Sequence, residues 1–394
     1  MPDLNCIDLP PRVARPAIEN LEGSRIRQVA ESNIGRDDVI PLWFGEPDLP
    51  TPDFIKQAAR DALSDDHVFY AQNRGIPPLR ETIATYLTDL IGCPIDINRV
   101  TVSASGMAAI MLVSQALVDA GDNVLIVGPL WPNCAGTVEV MGGEARAVPL
   151  KPDENGVWHL DMNDIVAACD DRTRAIYVNS PGNPTGWVME RDQQLELLNF
   201  ARERGVYVVS DEVYMRLTYD RPIAPSFLDI ATPDDQVIIV NSFSKSWSMT
   251  GWRLGWLTHP PVLGSIFSKL NEFNIASPTT FVQHAGVVAM RDGEPFIIEM
   301  VERYRRNRDL VFQRLGAMPK VTLARPEGAF YAFFAVDGMS DSVAYAKELI
   351  AETGVGMAPG RAFGEFGEGW MRLCFAAEAA TLSMALDRLE PALS

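Results

Sequence analysis

NSFSKSWSMTGWRLGW, residues 241–256, is a poor design for protein core. It follows VIIV (237–240), an apolar run of strand length, and then sets four serines, one lysine and one arginine among three tryptophans. Lysine is almost never fully buried without a partner. Lys245, just past the end of a core strand in a chain of net charge −18, therefore asks for a chemical reason.

The neighbouring sequence gives that strand its setting. VTVSAS (100–105), NVLIVGP (123–129), RAIYVNSP (174–181) and VYVVSDE (206–212) are equally short and rich in Val and Ile. Helical patterns separate them: GMAAIMLVSQALVDAG (106–121), expected to stop at Gly121, and RDQQLELLNFARERG (191–205). Continuous apolar strands alternating with helices predict an α/β fold with a mostly parallel central sheet covered on both faces. From about residue 281 the character changes to long amphipathic helices such as EPFIIEMVERYRRNRDLVFQRLG (294–316), then GAFYAFFAV (328–336) and WMRLCFA (370–376). This predicts a large domain over 41–285, a smaller α+β domain over 286–394, and an N-terminal arm (1–40) packing with the smaller domain.

In such open sheets, ligands sit beyond the carboxyl ends of the strands. The polar residues closing the apolar runs are Ser105-Gly106, Trp131, Asn183, Asp211, Tyr214, Ser242, Ser244 and Lys245. Each has a plain alternative. Ser105, Gly106 and Met107 open a helix whose free N–H groups suit a phosphate, or Ser105 is simply its N-cap. Arg253 with Ser242 and Ser244 completes a dianion cage, or its guanidinium stacks on Trp252 or Trp256. Asp211 emerging from a buried strand needs a donor or cation, such as a heterocyclic N–H⁺, or caps the next turn. Asn183 lies in a Pro/Gly-rich loop that needs turn residues anyway, and Trp131 suits a core. Taken together they describe a phosphorylated, planar pyridine aldehyde held at its phosphate, its nitrogen and its face. Lys245 is then the amine that condenses with it.

Those residues carry a family pattern. SFSKSWSMTGWRLGW (242–256), NSPGNPTG (179–186) and VVSDEVY (208–214) resemble the lysine, asparagine-loop and aspartate signatures of class I/II aminotransferases, the fold-type I enzymes dependent on pyridoxal 5'-phosphate. The resemblance runs from PLWFGEPDLPTP (41–52) to GEGWMRLCFA (367–376), with the three signatures in order. It implies that Lys245 is the Schiff-base lysine and proton shuttle. Asp211 pairs with the pyridine nitrogen, Asn183 and Tyr214 bond the phenolic oxygen, and Trp131 stacks on the ring. Ser105, Gly106, Met107, Ser242, Ser244 and Arg253 form the phosphate cup. Tyr70, in FYAQNRGIPPLRE (69–81), reaches the phosphate in a neighbouring subunit, which implies a homodimer with shared sites. Arg372 grips the substrate α-carboxylate, with the Gly45 backbone and Asn183 nearby. The implied reaction is ping-pong transfer of an amino group from an L-amino acid to a 2-oxo acid.

One departure bears on substrate choice. Some bacterial aspartate-specific relatives have a lysine where this chain has Met107, and Trp43, Phe44 and Ile275 add apolar surroundings. This leans to neutral or aromatic donors, unless a cation such as Arg25 or Arg27 reaches the pocket. A β-eliminating lyase or related synthase shares the same cofactor contacts. A non-catalytic sensor domain that binds the cofactor is a further alternative, expected to carry a DNA-binding segment ahead of PLWFGEPD.

Composition narrows the rest. With 52 acidic against 34 basic residues, a nucleic-acid surface is not expected. No apolar run has the length of a membrane span, and MPDLNCIDLPPRVARP lacks the basic and apolar regions of a secretory signal. Cys6, Cys93, Cys134, Cys169 and Cys374 are scattered without CxxC spacing, so reduced thiols in a cytoplasm are expected rather than disulfides or a metal site.

Overall fold

The computed structural model describes residues 13–394. The short strand β1 (Ile40–Pro41) pairs in parallel with β12 (Val355–Gly356), tying the start of the described chain to its C-terminal part. The larger sheet contains β2 (Val100–Ser103), β3 (Asn123–Gly128), β4 (Glu144–Pro152) and β5 (Trp158–Leu160), then β6 (Thr173–Asn179), β7 (Tyr207–Asp211), β8 (Val237–Ser242) and β9 (Gly255–Thr258). Its order is β2-β9-β8-β7-β6-β3-β4-β5. Pairings among β8, β7, β6, β3 and β4 are parallel, while β9 runs antiparallel between β2 and β8, and β5 folds back on β4.

Alternate residues of these strands enter two separate hydrophobic clusters. Ile176, Val178, Val208, Val237 and Ile239 belong to one, and Ala175, Tyr177, Val209, Ile238 and Val240 to the other. Side chains alternate across a strand, so both faces are covered and both must be apolar. That is why the runs read as continuous Val and Ile. The second cluster is closed by the helices Gly106–Leu117, Asn133–Met141 and Gly264–Ile275, through residues such as Ile110, Cys134 and Phe267.

The smaller sheet is antiparallel and ordered β10 (Val321–Thr322), β11 (Tyr331–Val336), β14 (Trp370–Cys374), β13 (Ala358–Pro359). The helices Glu294–Leu315 and Ser342–Thr353 pack on it, and Ala379–Leu393 packs against both. The helix Arg25–Ala30 lies against Ser342–Thr353 and β13, whereas the turn of helix Pro16–Glu19 touches Asn133–Met141, where Arg15 Nη2 donates to Val140 O at 3.1 Å. The described part of the N-terminal arm, residues 13–40, therefore touches both parts of the molecule rather than one; the rest of the expected arm, residues 1–12 with Cys6, lies outside the described residues.

Two sequence readings are corrected. The division at 285/286 falls inside the helix Thr280–Asp292, which packs on the helices Asp53–Ser64 and Pro77–Ile91. The helix from Gly106 ends at Leu117, short of Gly121, because Val118 turns extended into the core and Asp122 Oδ2 takes the Asp119 N–H.

Candidate active site

The registers of β6, β7, β8 and β9 bring Asn179, Asp211, Ser242 and Gly255 to one edge of the large sheet. There the helix Gly106–Leu117 begins, with Ser105 as its cap: Ser105 Oγ accepts from Ala108 N at 2.9 Å. Ser242 caps the next turn, accepting from Ser244 N at 3.1 Å and donating to Ser244 Oγ at 2.9 Å. The two loops meet because Gly255 lacks a side chain. A Cβ there would lie 2.7 Å from both Gly106 N and Ser105 C. Arg253 is held in the left-handed region at φ 54, a conformation costing a non-glycine residue about 1 kcal/mol, and its Nη1 donates to Thr250 O at 2.6 Å.

Beside this cradle lies a cavity of about 590 Å³. Gly45, Gly106, Met107, Trp131, Asn183, Asp211, Tyr214, Ser242, Ser244, Lys245, Arg253 and Arg372 all line it. Residues as far apart in the chain as Gly45 and Arg372 thus share one wall, because β14 and the 41–45 segment run together: Cys374 N donates to Leu42 O at 3.0 Å. Gly45 is required there, since a Cβ would fall 2.0 Å from Tyr331 Oη.

The buried charges set the electrostatics. Lys245 Nζ donates to Gly45 O at 2.5 Å and lies 5.6 Å from the centre of the Phe330 ring. Burial, with some help from Arg372 and Arg253, brings its ammonium down to about 8, so a free amine is available near neutral pH. Burial also pushes the Asp211 carboxyl up to about 6, opposed by the Tyr177 hydroxyl, the Val213 N–H and Lys245. Arg372, 1% exposed, donates from Nη1 to Asn183 Oδ1 at 2.8 Å and from Nη2 to Trp43 O. Its Cζ sits 4.5 Å from the centre of the Tyr331 ring and 4.8 Å from that of Phe363. Its Nε has no acceptor, a buried donor left unmet at a typical cost of about 1–3 kcal/mol. Tyr214 Oη and Tyr331 Oη share a hydrogen bond of 2.7 Å, and burial drives the Tyr214 phenol well above its ordinary value.

Some expected residues stand apart. Ser105 is spent on its own helix and does not line the cavity. Tyr70 is 88% exposed and borders a different recess, with Ser277, Pro278 and Phe281. Trp43 contributes its carbonyl to Arg372, but its ring fills the space over Gly356, where a Cβ would lie 2.0 Å away; alternation along the extended segment leaves Phe44 to face the cavity. Ile275 ends its helix partly exposed and lies outside the cavity wall, which corrects its assignment to the pocket. Arg25 pairs with Glu22, whereas Arg27 lines the cavity.

The sequence reading missed Tyr177, Asn179 and Tyr331, all cavity-lining. An aromatic inside an apolar strand reads as core; alternation sets Tyr177 on the face of Tyr207, Val209 and Ala175 but does not show what its hydroxyl meets.

A half-buried amine, a buried carboxylate, a helix terminus cupped by two serines and an arginine, a half-buried indole (Trp131) and an arginine with a free donor fit a phosphorylated pyridine aldehyde and a carboxylate substrate. The chain's likenesses point the same way. The family model "Aminotransferase class I and II" matches residues 37–389. An aspartate aminotransferase of Pyrococcus horikoshii is 33% identical over 376 residues, covering 95% of each chain. An aromatic-amino-acid aminotransferase of Thermococcus litoralis is 33% identical over 380 residues, covering 95% of this chain and 97% of its own. Among solved structures, an aspartate aminotransferase of Thermotoga maritima superposes with a TM-score of 0.90 at 33% identity, covering 96% of this chain and 100% of that one.

Proposed function

The chain belongs to the class I and II aminotransferases, and on that premise we propose how its residues divide the work and which donors it prefers. It is a pyridoxal-phosphate-dependent transaminase, moving an amino group between an L-amino acid and a 2-oxo acid. The bound cofactor supplies an aldehyde carbon that carries the amino group and a ring that takes up electron density. In our reading, Lys245 Nζ would anchor that carbon and then, as a free amine, would carry a proton between the substrate Cα and that same carbon. Asp211 holds the ring nitrogen. The N–H groups at Gly106 and Met107, with Ser242, Ser244 and Arg253, hold the phosphate, and Ser105 shapes that turn. Trp131 covers the ring face. Tyr214 and Asn183 bind the phenolic oxygen. Arg372 grips the α-carboxylate beside Asn183 and the Gly45 backbone, turning Cα–H towards the amine.

The observation that carries this division is the meeting of Lys245, Asp211 and Arg372 on one cavity. Incubation with a single amino acid tests it against β-elimination. Stoichiometric oxo acid and aminated cofactor support transamination; pyruvate and free ammonia contradict it.

For donors, Phe44, Met107 and Ile110 give the cavity an apolar side suited to neutral or aromatic side chains. One observation favours a second reading. Arg27 lines the same cavity and, among the described residues, its guanidinium has no carboxylate partner, so an acidic side chain has a cation to meet. We also propose a homodimer with shared sites. Tyr70 stands exposed beside Val68 and Phe69, an apolar strip that monomers rarely leave bare. No described helix is long and apolar enough to cross a membrane.

A further inference from the structure

We propose that Tyr177 is a positioning residue that keeps a proton on the cofactor's ring nitrogen by donating its own hydroxyl to Asp211. This rests on the reading of Asp211 as the partner of that nitrogen.

Tyr177 lies on β6 beside Asp211's strand and is 3% exposed. Its Oη donates to Asp211 Oδ2 at 2.8 Å, while Oδ1 accepts the Val213 N–H at the longer 3.2 Å. Asn179 Nδ2 fixes the Asp211 carbonyl at 2.9 Å. Among the described residues no lysine or arginine reaches Asp211 at ion-pair distance, so neutral donors make both hydrogen bonds to this buried carboxylate, the phenol the shorter of the two, and Lys245 acts on it only from farther off. The Cys134 thiol meets the same phenol from the helix Asn133–Met141. Burial, followed by the nearby Asp211 charge, pushes both the phenol and the thiol well above their ordinary values. Both keep their protons at working pH, and towards a carboxylate the phenol can only donate.

The consequence concerns where one proton rests. A carboxylate and a pyridine nitrogen sharing a proton compete as bases. A hydroxyl donating to the carboxylate withdraws electron density from it and weakens it as a base. The proton then stays on nitrogen, where it makes the ring an electron acceptor. Without that hydroxyl, the buried carboxylate is the stronger base and draws the proton to itself.

The test uses holoenzyme reconstituted with cofactor labelled with ¹⁵N in the ring, read by NMR. Wild type should show the pyridinium resonance, and Tyr177→Phe should move it towards neutral pyridine. kcat should fall about 10- to 100-fold, as for loss of one hydrogen bond to a charged group, with KM changed less than twofold. Incorporating 3-fluorotyrosine at position 177, a stronger donor of nearly the same shape, should shift the resonance the opposite way. That substitution keeps the test open if Tyr177→Phe does not fold. Normal cofactor binding with an unmoved resonance in either variant overturns the inference. A wild-type chain that binds no labelled cofactor overturns the underlying reading of the site instead.

Discussion

Arg372 and Asn183, separated by 189 positions in sequence, are joined by a hydrogen bond of 2.8 Å from Nη1 to Oδ1. The bond fixes the guanidinium plane at the cavity, together with the Trp43 carbonyl on the other terminal nitrogen. A fork held in one plane can bind a carboxylate through two parallel contacts and set the angle of the attached Cα.

Arg372→Lys should therefore lose orientation as well as affinity. A lysine offers a point charge and cannot hold Asn183 and Trp43 at once. We expect kcat to fall and KM to rise for every amino-acid donor, with kcat/KM down about 100-fold, the scale of a misplaced reacting atom. Steady-state kinetics on three donors checks this. A rise in KM with kcat intact would show that the residue binds without orienting.

The half-buried amine makes a prediction about pH. With its folded-state value down at about 8, Lys245 should be acylated by a small anhydride in the apoprotein with a midpoint near pH 8, well below a free lysine analogue in the same tube. The stability sign follows. Between about pH 8 and the ordinary lysine value the unfolded chain binds more protons, so this group makes apoprotein stability rise with pH across that window. Lys245→Met should flatten the rise in denaturant titrations. A labelling midpoint equal to the analogue's would refute the burial argument.

Shared sites are testable by mixing. Tyr70→Ala and Lys245→Ala subunits, each inactive alone, should regain activity on co-refolding, because a hybrid dimer has one intact site. Full activity in a sedimenting monomer would rule out the assignment of Tyr70.

Donor choice rests on Phe44 and Met107 against Arg27. Half-reaction efficiencies for phenylalanine and methionine should exceed that for aspartate. Arg27→Ala should lower only the aspartate value, by about fivefold, the upper end expected for one exposed charge contact. Aspartate preferred in wild type would make Arg27 the dominant contact.

Much of this was legible in sequence for a physical reason. Strands buried on both faces must be apolar throughout, so Val237 to Val240 announce β8, and whatever breaks the run, Ser242 to Lys245, marks the sheet edge. Asp211 was legible for the same reason. Tyr177 and Tyr331 were not, because a phenol in an apolar run shows its hydroxyl's partner only in three dimensions. The ring of Trp43 was misplaced because the extended segment it sits on, just past the two-residue strand Ile40–Pro41, is too short to show in sequence which face is buried, and its packing on Gly356 joins segments over 300 residues apart. The early end of the helix at Leu117 reflects Val118 seeking the core, a tertiary preference that outweighs local propensity.

Every role proposed for the site depends on Lys245 carrying the cofactor. Borohydride reduction of the yellow holoenzyme followed by peptide mass spectrometry tests it most directly. A single reduced pyridoxyl-phosphate adduct is expected on the peptide containing Lys245. An adduct on another lysine, or none on a chain that remains active, would contradict it.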